Sequence, residues 1–347
     1  MSRYIICGAG AIGSILGARL QRSGQDVVLV ARPAHVQAIL RDGLHVRFLE
    51  EDCSLEIKAV SDPADIRPNG SDRLLLSVKT QQTEAAAGRL AAVFPGKTPA
   101  ISLQNAVRNE EILARHFQDV YGGLVDFSGT FVEPGRVVHT RNNLMAIGKF
   151  PQGLDPLAQS VAADLQHAGF QVEQSENVMA IKWWKLILNT TNALLAILDC
   201  WLQKALSDPE ICSLMAAVFE ESLRVVRKAG IKLEAPQGTP SLEVTIQKMK
   251  SGGIASEFIL PEDQRTYPST WQDLRLQRGE TEVDYLNGEI ERLASRLGVS
   301  TPLNSFLLRT VTEMSHRKEP PGKYSTEQLK GIFEALRRPA KIVSPEP

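Results

Sequence analysis

An α/β amino-terminal domain followed by a mainly α-helical carboxyl-terminal domain is the architecture this sequence predicts. Three observations carry it. The chain opens on apolar residues that run straight into closely spaced glycines and then into a helical pattern. Apolar, strand-like runs alternate with helical stretches up to about residue 175. From Asn177 onward the periodicity is helical and strand character fades. At 347 residues the chain exceeds one ordinary core. The expected division is residues 1–175 and 176–347.

The opening segment, RYIICGAGAIGSILGARLQRSGQDVVLVARP, reads as strand, tight turn, helix, turn and strand. The strands are Tyr4–Cys7 and Val27–Val30, and the helix is Ala11–Ser23. Gly8, Gly10 and Gly13 form GxGxxG where strand meets helix. The first glycine permits the turn, the second lets a pyrophosphate approach bare backbone, and the third lets helix and strand pack closely. Gly8, Ala9, Gly10, Ala11, Ile12 and Gly13 are therefore the expected cradle of a dinucleotide in a Rossmann-type domain, with the helix amino terminus facing the anion. The second strand ends in Arg32 where an NAD site usually carries Asp or Glu. A guanidinium suits a 2′-phosphate, so NADP(H) is the expected cofactor.

Farther on, DRLLLSVKTQQT is a buried strand ending in Lys79, and TPAISLQNAVRNEE is another ending in Asn105. Both polar residues fall past the carboxyl ends of apolar strands, the edge where open parallel sheets bind ligands. Runs near VVHT, LMAIG and FQVEQ complete the expected sheet.

In the second half, VMAIKWWKLILNTTNALLAIL reads as one long apolar helix. At 100° per residue, Asn189 lies about 40° from Lys185, and Asn192 returns to within about 20° of it. Lys185, Asn189 and Asn192 thus form a polar stripe whose flanks are too apolar to be wet, which fits the lining of a cleft. Lys182, one turn earlier, is the rival lysine. DPEICSLMAAVFEESLRVVRKAG is amphipathic and starts well at Asp208-Pro209. TEVDYLNGEIERLASRLG is a further helix, and STEQLKGIFEALRR another. The stretch from Ala235 to Trp271, rich in Pro, Gly and Ser, reads as loops around one short helix, suited to covering a site.

Composition narrows the function classes. A formal net charge of −1 offers no basic field for nucleic acid or anionic lipid. Cys7, Cys53, Cys200 and Cys212 show no CxxC or zinc spacing, and the six histidines are dispersed, so no metal site is expected. No apolar stretch reaches membrane-span length. The expectation is a cytoplasmic protein with reduced thiols acting on a small molecule.

These motifs, in this order, resemble the ketopantoate reductase (2-dehydropantoate 2-reductase) family over almost the whole chain. The resemblance rests on GAGAIG, Arg32, SVK with Lys79, LQN with Asn105, and WWKLILN with Lys185 and Asn189. It continues through PSTWQDLRLQRGETEVDYLNG with Ser269, Asp273, Glu282 and Asn287. It implies NADPH in the cleft between two domains and reduction of ketopantoate to pantoate, a step of pantothenate biosynthesis. It implies that Lys185 is the catalytic lysine. Asn105, Asn189 and Ser269 would touch substrate, with Asn192 beside them. Glu282 would stand next to cofactor and reacting carbonyl, as a second catalytic group. Arg32 and Lys79 would lie near the adenosine phosphate end, and Asn105 would also reach cofactor.

The pattern departs from the family in places. Asn192 comes seven residues after Lys185 rather than eight, and one extra residue stands between Gln272 and Glu282. LDCWLQKALSD lacks the asparagine-glycine-acid pattern that holds the hydroxyl end of ketopantoate. A related reductase of a bulkier 2-oxo acid is therefore the alternative, and a non-catalytic dinucleotide-binding sensor is a third reading. The last helices are a candidate homodimer surface.

Overall fold

The structure, a computed structural model, describes residues 2–252 and 265–338. The chain divides into two compact units, Met1–Trp183 with Pro236–Gly238 and Trp184–Ala235 with Thr239–Pro347. Part of the Pro- and Gly-rich stretch anticipated as a cover, residues 253–264, lies outside the described residues.

The first unit is a mixed sheet flanked by helices. Its strands are β1 (Arg3–Cys7), β2 (Asp26–Val30), β3 (Leu44–Arg47), β4 (Asp52–Leu55), β5 (Lys58–Val60), β6 (Asp72–Leu76), β7 (Ala100–Ser102), β8 (Val120–Glu133), β9 (Arg136–Lys149) and β10 (Gln171–Gln174). Its helices are α1 (Ala11–Arg22), α2 (Pro33–Asp42), α3 (Thr83–Ala91), α4 (Asn109–Leu113) and α5 (Pro156–His167). The order across the sheet is β4-β3-β9-β8-β7-β6-β1-β2-β5, with β10 on β9. From β5 to β8 every neighbouring pair is parallel. Parallel strands are covered on both faces, which is why these runs are apolar without alternation. Ile6, Leu29, Leu75 and Ile101 pack with Leu16 of α1 and Leu165 of α5. The intervening Ile5, Val28, Leu74 and Leu76 pack with Ala87 and Leu90 of α3.

Of the long antiparallel hairpin β8–β9, the sequence predicts only the runs VVHT and LMAIG of β9; the β8 segment VYGGLVDFSGTFVE carries three glycines and is unassigned there. Those glycines mark close approach. A β-carbon on Gly129 would lie 2.4 Å from Ile15 Cδ1 of α1, and one on Gly123 would lie 2.5 Å from Leu103 Cδ2.

His35, 2% exposed in the first turn of α2, ties three elements together. Its Nδ1 accepts the backbone N–H of Gly135 at 2.8 Å, in the β8–β9 turn. That leaves the proton on Nε2, which faces Ser14 Oγ of α1 at 3.1 Å. Burial holds the imidazole pKa below its ordinary value. The unfolded state therefore binds the proton first, and the contribution of His35 is complete above about pH 6.5 and lost as pH falls through the folded value. The expected result is a thermal-midpoint advantage of wild type over His35→Asn at pH 8 that shrinks on acidification below about pH 6.5. A gap that widens on acidification would contradict the neutral imidazole.

The second unit is helical. After α6 (Val178–Asn189) come α7 (Thr191–Ile197), α8 (Leu202–Ser207), α9 (Pro209–Lys228), α10 (Leu242–Lys250), α11 (Ser269–Arg275), α12 (Asn287–Arg296), α13 (Pro302–His316) and α14 (Thr326–Arg337). Asp208 caps α9 by accepting the N–H groups of Glu210 and Ile211 at 2.9 and 3.1 Å. Ser325 and Gln328 form a capping box at α14. The last residues, 339–347, lie outside the described residues.

The division between the compact units falls inside α6, after Trp183. The first turns of α6 pack on the sheet, where Ile181 is buried with Leu124 and Ala146. The helix expected to run unbroken from Val178 is interrupted at Thr190. Consecutive threonines cause this: Thr190 Oγ1 donates to Ile187 O at 2.6 Å and Thr191 Oγ1 to Leu188 O at 2.9 Å. Such hydroxyls compete for carbonyls that an α-helix uses.

Candidate functional site

In the first unit the parallel register gathers the predicted cofactor residues along one edge. Cys7 pairs with Val30 and with Leu76, and Leu76 pairs with Ser102. The four strands therefore end at one level, and the Gly8 turn, Arg32, Lys79 and Asn105 all follow within a few residues. The strands stop at Leu76 and Ser102, short of Lys79 and Asn105, which sit in the loops beyond.

The glycine turn has the shape its sequence promised. Gly8 has φ +99°, and a β-carbon there would lie 2.5 Å from Val78 N. A β-carbon on Gly13 would lie 2.6 Å from Ser77 Oγ. On Gly10, exposed at the start of α1, the same atom would meet nothing closer than Gly8 O at 4.0 Å. So two glycines are required by packing, and the middle one leaves open, exposed backbone at a helix amino terminus, where Ala9, Ala11 and Ile12 complete the turn. This cradle fits a pyrophosphate. Arg32 is exposed immediately after β2, as the amino-cap residue of α2.

The loop carrying Asn105 is held by buried polar side chains. Gln104 Nε2 donates to Val78 O at 3.0 Å and to Thr83 Oγ1 at 2.7 Å. Thr80 Oγ1 and Asn109 Nδ2 both donate to Asn105 O, at 3.2 and 2.6 Å. Ala106, next in the chain, has φ +66°, a left-handed conformation that this network sustains.

On α6 the structure separates the two lysines. Lys182 is 3% exposed and ion-paired with Glu110, itself fully buried, while Ser102 Oγ lies 3.5 Å from its amine. Its ammonium is committed to the interior of the first unit. Lys185 is half-buried, as are Leu188 and Asn189, whereas Trp184, Leu186 and Ile187 are buried. A helix face with a lysine and an asparagine one turn apart is thus accessible on an otherwise apolar helix. Asn192, also half-buried, belongs to α7 beyond the break, so an angle counted through an unbroken helix does not place it.

Ser269 begins α11 and is half-buried. Glu282 is 4% exposed, just before a one-turn helix over Val283–Tyr285. Lys185, Asn189, Asn192, Ser269 and Glu282 belong to the second unit, and the glycine turn, Arg32, Lys79 and Asn105 to the first.

Sequence reasoning missed two features. Glu110, the partner of Lys182, carries no local signal. An aromatic group, two members of which flank Ser269 in sequence, was also missed: Tyr267 and Trp271 stack with centroids 3.8 Å apart, and Trp201 meets Tyr267 edge-on at 6.3 Å. The Arg265 guanidinium lies 4.5 Å from the Trp201 ring centre, and Trp271 Nε1 donates to Asp199 Oδ1 at 2.6 Å. Trp201 and Asp199 come from the segment that departs from the family pattern. Among the described residues no helix is long and apolar enough to cross a membrane, and no three His, Cys, Asp or Glu side chains gather as a metal site.

Comparison with known proteins accords with this geometry. The family described as Ketopantoate reductase PanE/ApbA matches residues 4–152, and its C-terminal counterpart matches residues 177–315. The 2-dehydropantoate 2-reductase of Archaeoglobus fulgidus is 30% identical over 90% of this chain and 97% of its own. The crystal structure of a PanE/ApbA family ketopantoate reductase from Ralstonia eutropha is similar with a TM-score of 0.77 and 31% identity, covering 91% of this chain and 99% of that one. D-mandelate dehydrogenase, solved with NADH and anilino(oxo)acetate, is similar with a TM-score of 0.77 and 26% identity, covering 91% and 98%. The chain therefore belongs to the PanE/ApbA ketopantoate reductase family, oxidoreductases built from a dinucleotide-binding Rossmann-like domain and a helix-rich domain.

Proposed function

We propose that the protein reduces a 2-oxo acid to the 2-hydroxy acid with NADPH, ketopantoate being the first candidate substrate. The observation that carries this reading is the contrast between the two lysines of α6. Lys182 is sealed against Glu110, and Lys185 lies on the accessible face it shares with Asn189. An ammonium on such a face polarises a ketone, stabilises the developing alkoxide and delivers the proton that oxygen needs. Asn105, Asn189, Asn192 and Ser269 orient the acid through hydrogen bonds without adding charge, and Glu282 orients Lys185 or the ribose.

When bound, the reduced nicotinamide supplies the hydride. The amides of Gly8–Gly13 hold the pyrophosphate, and Arg32 and Lys79 bind at the adenosine end. Arg32→Ala is expected to raise the dissociation constant for NADPH at least about tenfold, the weight of one charge-assisted contact, with little effect on that for NADH. Equal losses would remove Arg32 from the 2′-phosphate.

A second reading, a bulkier 2-oxo acid, is favoured by the Trp201–Tyr267–Trp271 group, whose last two members flank Ser269 in sequence. The relative solved with anilino(oxo)acetate points the same way. Loss of NADPH absorbance at 340 nm with ketopantoate, an aliphatic 2-oxo acid and phenylglyoxylate distinguishes the readings. Ketopantoate turned over well above the others supports the first, and phenylglyoxylate the second. Cofactor binding without oxidation by any of them would leave the sensor.

A further inference from the structure

Within the helical unit a string of buried side chains connects the helix of Lys185 to the segment of Glu282. Asn287, fully buried at the start of α12, donates both amide hydrogens. Its Nδ2 lies 2.9 Å from the Thr190 carbonyl oxygen and 3.0 Å from Asn304 Oδ1. Asn304, equally buried, donates through its own Nδ2 to Glu221 Oε1 at 2.9 Å and to Ser222 Oγ at 3.2 Å. Glu221, 6% exposed, also accepts the backbone N–H groups of Leu303 and Asn304 at 3.2 and 2.8 Å. These open α13, a helix end whose positive partial charge favours an anion.

An ionised carboxylate only accepts hydrogen bonds. Glu221 therefore requires the Nδ2 end of Asn304 to face it, which turns Asn304 Oδ1 toward Asn287. Asn287 must then offer its NH₂ to that oxygen, and its second hydrogen reaches Thr190 O. One anion fixes the orientation of both amides, since flipping either sets acceptor against acceptor in the interior, where an unpaired polar group costs most. The chain of bonds ends at Thr190, the residue that breaks the helix directly after Asn189. Along the chain from Asn287 itself, one short turn, Val283–Tyr285, leads back to Glu282.

We propose that Asn287 is a positioning residue for the reaction. It fixes the break after Asn189, and with it the turn bearing Lys185 and Asn189, relative to Glu282. The proposal rests on the reading of Lys185 and Glu282 as the groups that meet the reacting carbonyl. Asn287 acts through the Thr190 backbone.

Steady-state kinetics of the full chain with NADPH and either ketopantoate or phenylglyoxylate tests it. Asn287→Ala is expected to lower kcat about ten- to a hundredfold, the cost of a small misplacement of reacting groups. KM for the acid and Kd for NADPH should stay within about twofold, because binding groups are retained. Glu221→Gln keeps the volume but can turn a donor toward Asn304, so it should lower kcat in the same manner and by less. A folded Asn287→Ala with wild-type kcat overturns the proposal, as does a loss spread equally over kcat, KM and Kd. If Asn287→Ala does not fold, Glu221→Gln decides, and an unchanged kcat there overturns it. A wild-type chain that oxidises NADPH with neither acid overturns the functional reading, and this proposal with it.

Discussion

Lys185→Ala should lower turnover of the 2-oxo acid by about 10²–10⁴-fold, the usual contribution of a positioned general acid. Cofactor affinity should be unchanged, because the phosphate contacts are proposed for the glycine turn and Arg32, which are remote in sequence. Lys185 is half-buried on α6 rather than sealed in the core, so the variant should still fold and lose less stability than one that strands a fully buried charge. The informative result is this combination of lost kcat, retained NADPH binding and a chain that still folds. A variant with full activity would show that the amine of Lys185 takes no part in proton delivery.

The second large effect is of the opposite kind. Lys182→Met should destabilise the fold by about 3–5 kcal/mol, the typical cost of removing one partner of a buried ion pair. Lys182 is 3% exposed and Glu110 fully buried, so the carboxylate left behind would have no route to water. Glu110→Gln with Lys182→Met should recover much of the loss, because replacing both charges removes the unpaired one. Urea unfolding of the single and double variants measures this. A single variant as stable as wild type would mean the pair contributes nothing, and Lys182 would return as a candidate acid. Two lysines one turn apart on one helix are thus predicted to fail differently, one in chemistry and the other in folding.

Much of the first unit was legible because its signals are local. A turn that must take φ +99° and tolerate no β-carbon beside Val78 calls for Gly8, and the sequence has it there. Apolar runs without alternation announce parallel strands covered on both faces, and Lys79 and Asn105 do fall in the loops just past them. Other elements failed the local test for physical reasons. β8 went unmarked because its glycines, unusual in a strand, serve Ile15 and Leu103, residues far away in the chain. The break at Thr190 was hidden inside an apolar run whose periodicity continued through it, so Asn192 falls on α7 and not on the helix of Lys185.

By itself the sequence determined the order of strands and helices around the glycine turn, the arginine where an acid was due, and the family. Only the tertiary structure showed that Lys182 is the amine of α6 sealed in the interior. Lys182 and Lys185 share a helix, a residue type and apolar neighbours, and nothing nearby distinguishes them. The difference lies in Glu110, 72 residues away. A buried charge needs an opposite charge beside it, and that partner is supplied by folding across the sheet, beyond the reach of any local pattern.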